Sequence, residues 1–149
     1  MALVLLIVHS WFRWFAVAGV LVAFVNALRS AAIEAPWQRV DVILSKSAAH
    51  LMNVQVVLGV AVYATSPMIR GLLGNMQNTM RDPDARFFAV EHAGVMLLAV
   101  GAVHMGAALA KKADTDQGKH TRIAVFFAVA LVLMAYGIPW TRPLLRMGA

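Results

Sequence analysis

The chain contains no cysteine. That excludes disulfides, covalent c-type haem attachment, cysteine-ligated iron–sulfur clusters and thiol catalysis. Charge is scarce: Asp, Glu, Lys and Arg make up 13% of the 149 residues, and only seven residues are acidic. A soluble domain of this length needs more polar surface than that. No phosphate loop, dinucleotide fingerprint, nucleophile elbow or HExxH is present, so the common soluble-enzyme classes have no foothold. No clear internal repeat divides the chain, and its length suits one domain, residues 1–149.

What is present is apolar: 61% of residues are hydrophobic and the mean hydropathy is +0.73. Four runs stand out, at about residues 3–28, 47–66, 87–110 and 122–140. Each is long enough to cross the hydrocarbon core as a helix, which needs roughly 20 residues. Helices are the economical form, because backbone amides in lipid must be satisfied within their own segment. The expected fold is an all-α transmembrane up-and-down four-helix bundle. Because the first run lacks a basic leader and contains His9 and Arg13, it reads as a span rather than a cleavable signal.

The net charge is +6. In a soluble chain this would suggest nucleic acid. Here the Lys and Arg residues lie mostly between apolar runs, so topology and anionic lipid headgroups are the simpler cause, with no nucleic-acid partner. Seven of them (Arg29, Arg39, Lys46, Lys111, Lys112, Lys119 and Arg122) fall on one side, against Arg70, Arg81, Arg86, Arg142 and Arg146 on the other. The positive-inside rule then places both termini outside. Trp11, Trp14 and Trp140 form an outer aromatic belt and Trp37 marks the inner surface. The connection from Pro67 to Arg86 reads either as a short interfacial helix over the outer end or as a solvated connector.

Histidines in lipid are costly, and four lie in or at the edge of the spans: His9, His50, His92 and His104. His9 and His92 enter from the outer side to depths of roughly 9 and 8 Å. His50 and His104 sit near the inner side, at roughly 5 and 9 Å. The four therefore form two candidate imidazole pairs, about 18 Å apart along the third span. Imidazole is a good haem ligand and bundle cores are natural cofactor sites, so these four are the candidate metal ligands, for one or two haem b groups. The twelve residues between His92 and His104 put them about 120° apart around the helix, pointing at different neighbours.

Arg13 lies one turn from His9, where it suits a haem propionate or Glu91. Gly19, Gly59, Gly94 and Gly101 would let a flat macrocycle approach the backbone. They equally suit close helix packing. Asn53 and Gln55, with His50, mark a face of the second span that should look inward. Met105, beside His104, is a weaker axial-ligand candidate. The other methionines read as packing or lipid-facing residues. His120 sits between Lys119 and Arg122 in sequence and reads as solvated.

The stretches HSWFRW (9–14), AHLMNVQVVLGV (49–60), RFFAVEHAGVMLLAV (86–100) and GIPW (137–140) resemble small bacterial four-helix membrane proteins described as cytochrome b-like. The broader likeness is to cytochrome b561-type bundles, where paired histidines hold haem b between a quinol and an acceptor. That resemblance implies a bacterial inner-membrane electron carrier with haem b and a quinone as partner. The fourth span departs from the pattern, having no histidine, so both pairs would share the third span. Two other readings stay open: an accessory subunit without cofactor, held among other membrane subunits, and a copper-handling or proton-relay protein using the same histidines.

Overall fold

The computed structural model describes residues 2–142 and 145. It is an all-α bundle, with no strand among the described residues. Helix α1 spans Ala2–Ala32 and α2 spans Arg39–Thr65. Three short helices follow: α3 (Pro67–Gly74), α4 (Met76–Arg81) and α5 (Pro83–Arg86). A π-helical turn, Phe87–Glu91, leads directly into α6, His92–Lys111. Helix α7 runs from Asp116 to Gly137. Four helical stretches, Ala2–Ala32, Arg39–Thr65, Pro83–Lys111 and Asp116–Gly137, are long and apolar enough to cross a membrane.

Going round the bundle, α1 packs on α2, α2 on α6, α6 on α7 and α7 on α1. Consecutive long helices are thus antiparallel neighbours, and α1 faces α6 across the diagonal. The core is made of small side chains: Ala16, Ala23, Ala27, Ala48, Ala99 and Ala130 are all buried, around a few larger ones such as Phe127 and Met52. Large apolar residues point outward instead, as with Val132 at 70% and Val57 at 67% exposed. This inversion of the soluble pattern suits lipid. Lipid solvates leucine and valine freely, while small residues let helices approach. Gly106 illustrates the approach, since a Cβ there would run into the Phe126 side chain of α7.

The helices outrun the apolar spans at the end that holds the 33–38 and 112–115 connections, labelled inner after the charge bias alone. Helix α2 begins at Arg39 because Asp41 holds its first turn. One Asp41 oxygen accepts from the Gln38 backbone N–H at 2.7 Å, and the other accepts from Asn26 of α1 at 2.6 Å. Helix α7 begins at Asp116 because the Thr115 hydroxyl accepts from the Gly118 N–H at 3.0 Å. Helix α1 ends at a left-handed Glu34, φ 51°. At the opposite, outer end, the 67–86 connection is folded as the three short helices α3, α4 and α5 rather than one. Ser66, Asn75 and Asp82 each cap the short helix that follows, and Ile69 and Thr79 are buried. Trp14 and Trp140 stack edge-on there, 6.5 Å apart. Arg146 lies outside the described residues.

Candidate functional site

The outer histidines meet. His9 of α1 and His92 of α6 come together across the diagonal with ring centroids 6.3 Å apart and planes at 80°. His92 is aimed by the π turn. Its own N–H closes that turn on the Phe87 carbonyl, and the Phe87 ring lies 5.9 Å from the imidazole. A π turn loosens the carbonyl ladder, and Tyr63 of α2 answers one of the carbonyls by donating to Ala89 O at 2.6 Å. Glu91, inside the turn, pairs with Arg86 at 2.6 Å. Glu91, one of the two partners open to Arg13, is thus engaged elsewhere. Arg13 instead reaches the Ser10 hydroxyl at 3.5 Å and lies 5.2 Å over the Trp14 ring.

Both rings are oriented by neighbours. His92 Nδ1 is 2.7 Å from the Gly137 carbonyl of α7. A carbonyl only accepts, so Nδ1 carries the proton and Nε2 keeps its lone pair. Gln55 of α2 donates to the His9 backbone carbonyl at 3.1 Å, and its amide nitrogen is 3.4 Å from His9 Nε2. His9 Nδ1 and Gln55 Oε1 are both sealed from solvent without a hydrogen-bond partner among the described residues. Gly59 sits opposite this edge of His9. A Cβ there would come within 3.2 Å of Cε1.

The inner histidines are arranged differently. His50 and His104 are exposed on the bundle surface, and both line a cavity of about 380 Å³ between α2 and α6. His104 Nε2 bonds Asn53 Oδ1 at 2.8 Å. The inward face expected of His50, Asn53 and Gln55 is a correction: Gln55 turns in to His9, while His50 and Asn53 are exposed, because residues 53 and 55 lie about 200° apart around the helix. Met105 is exposed, whereas Met52 is in the core. Of the four glycines, only Gly59 faces a histidine. Gly19 packs against Leu51 and Ala48 of α2, while Gly94 and Gly101 have nothing within 4 Å.

His120 is a correction. Far from being solvated, it is fully buried, its ring 4.9 Å from Trp37. Because α7 starts at Asp116, His120 lies in its second turn, on the same inward side as Ile123, Ala124 and Phe127. Trp37 folds over it, its backbone N–H donating to an Asp116 carboxylate oxygen at 3.0 Å. Neither His120 nitrogen has a partner among the described residues. Asp116 also pairs with Lys119 at 2.8 Å, the charge pair that its lysine-rich surroundings favour.

No family model, curated protein or solved structure matches this chain. Its chemistry must be read from the donor set. Among the described residues, no group of three or more His, Cys, Asp or Glu is placed to hold a metal ion. Two imidazoles alone leave a tetrahedral or octahedral metal short of ligands. An iron already held in a macrocycle needs only those two. Two imidazoles on opposite sides of one metal stand about 6 Å apart between centres, given metal–nitrogen bonds of roughly 2 Å. The 6.3 Å between the His9 and His92 ring centres matches that span, and the His9 Nδ1 without a partner among the described residues fits such a group.

Proposed function

We propose that this protein is a membrane b-type cytochrome holding one haem b between His9 and His92. The observation that carries this reading is the meeting of two imidazoles from diagonal helices, with the His92 Nδ1 proton committed to Gly137. A backbone acceptor on the remote nitrogen is the usual outer-shell device of ligating histidines. It fixes the tautomer and raises ligand basicity. His104 has the opposite arrangement, with Nε2 spent on Asn53, so a second haem at His50 and His104 has weaker support. When bound, haem b supplies one-electron redox chemistry within the membrane. Gln55 sets the His9 ring. Its nitrogen donates to the His9 carbonyl and lies beside Nε2, which leaves the Nδ1 edge as the one without a hydrogen-bond partner among the described residues. Gly59 keeps a side chain away from that edge.

The same reading places the chain in a bacterial inner membrane with both termini outside, and takes a quinol as the lipid-soluble electron donor. The charge bias supports the orientation. Single cysteines introduced into the cysteine-free chain at the 33–38 and 75–82 connections test it by sided labelling.

The deciding experiment is a dithionite-reduced minus oxidised spectrum of the purified protein with a pyridine haemochrome count. The expected result is one haem b per chain. A colourless preparation that copurifies with other membrane subunits overturns the reading in favour of an accessory subunit. Copper by elemental analysis overturns it in favour of copper handling.

A further inference from the structure

The bundle is not equally tight all round. Of its four neighbouring contacts, α2 against α6 is the lightest, and the 380 Å³ cavity opens there, at the lysine-bearing end. Its walls are two stripes of side chains. Lys46, His50 and Asn53 follow at helical spacing along α2, and His104, Ala107 and Lys111 do so along α6. The Asn53–His104 hydrogen bond, 2.8 Å, joins the stripes at the end furthest from the lysines, about 10 Å along the helix from Lys46. Alanines at 49, 107 and 110 leave the space.

The charge in this cavity is one-sided. Lys46, Lys111 and Lys119 line it, with two histidines, and no Asp or Glu does. Lys119 is neutralised by Asp116. Neither Lys46 nor Lys111 takes part in an ion pair among the described residues. Two ammonium groups without an ion-pair partner among the described residues, at the mouth of an alanine-walled cleft that opens on the outside of the bundle, are complementary to one kind of molecule. That molecule carries a negative head and an apolar tail.

We propose that this cavity binds the phosphodiester headgroup of an anionic phospholipid, clamped between Lys46 and Lys111, with an acyl chain lying in the α2–α6 cleft. A phosphate accepts from both ammonium groups at once, and basic pockets between membrane helices favour such headgroups. Free phosphate would meet the same lysines but gain nothing from Ala49, Ala107 and Ile123. The site shares no residue with His9 or His92, so its fate is separate from the haem assignment.

The test uses the full-length protein in mild detergent, titrated with phosphatidylglycerol, phosphatidylcholine or inorganic phosphate, and read by native mass spectrometry and thermal melting. The expected result is one phosphatidylglycerol retained per chain, with phosphatidylcholine lost. Lys46→Gln with Lys111→Gln should weaken retention about 25-fold, the effect of two lysine–headgroup interactions. Lys112→Gln, an exposed lysine outside the lining, should leave it unchanged. Ala107→Leu keeps every charge and narrows the cleft where the acyl chain would lie, and it should also weaken retention, which separates lost binding from lost charge or fold. Equal retention of the two lipids overturns the proposal. So does unchanged binding in the double lysine variant, or protection by inorganic phosphate equal to that of the anionic lipid.

Discussion

The two histidine layers of this bundle use the same side chain in opposite ways. In the outer layer, His9 and His92 turn inward, meet across the diagonal, and take their orientation from Gln55 and the Gly137 carbonyl. In the inner layer, His50 and His104 stand on the surface between neighbouring helices, and His104 is tied to Asn53 in the cavity that Lys46 and Lys111 also line. Depth alone does not tell these layers apart. The difference lies in which nitrogen is committed and what remains around the other. One layer turns half-buried imidazoles toward each other across the bundle. The other presents exposed imidazoles, with positive charge, at its surface.

That contrast can be broken most sharply by single histidine substitutions. His92→Ala should abolish bound haem, measured as haem per chain by pyridine haemochrome, whereas His104→Ala should leave it in place. Loss in both variants, or in neither, would erase the distinction between the layers. The next largest effect is expected midway between them. Phe127 is fully buried, and Phe127→Ala should cost about 3–5 kcal/mol of stability in a thermal or denaturant melt, loosening both layers together.

Asp41→Ala should act on the inner end only. It strands the Asn26 amide and the Gln38 N–H, at about 2 kcal/mol, and should leave any haem spectrum unchanged. Tyr63→Phe is its outer counterpart. It leaves the Ala89 carbonyl without the Tyr63 hydroxyl, at about 1 kcal/mol, and should weaken haem retention by loosening the turn that aims His92. Arg86→Gln removes a partly exposed ion pair and should change the melting free energy by less than about 1 kcal/mol.

Much of this architecture can be read in the residues. Hydropathy marks the four long helices because lipid demands apolar runs of that length, and the matched depths of His9 and His92 follow from counting residues along two helices that enter from the same side. The rest depends on contacts that no local pattern carries. Asp41 and Thr115 start their helices within polar stretches, so hydropathy places those starts too late. His120 looks solvated beside Lys119 and Arg122, yet one helical turn of displacement puts it under Trp37. Glu91 stands beside His92 in sequence, but the wide turn delivers it to Arg86. Gln55 was visible as a polar residue in an apolar run. The Gly137 carbonyl carried no signal, since every residue has one.

The wide turn at Phe87–Glu91 has a consequence for how the third crossing tolerates change. It holds one residue more than a regular turn, so the stretch before it and the helix after it are out of phase by about 100°. Deleting a single residue there would restore an unbroken ladder and swing the aromatic and arginine side chains on its outer flank round the axis. A length change of one residue, harmless in many surface connections, would here part Tyr63 from the Ala89 carbonyl and Arg86 from Glu91, in the turn that aims the His92 imidazole.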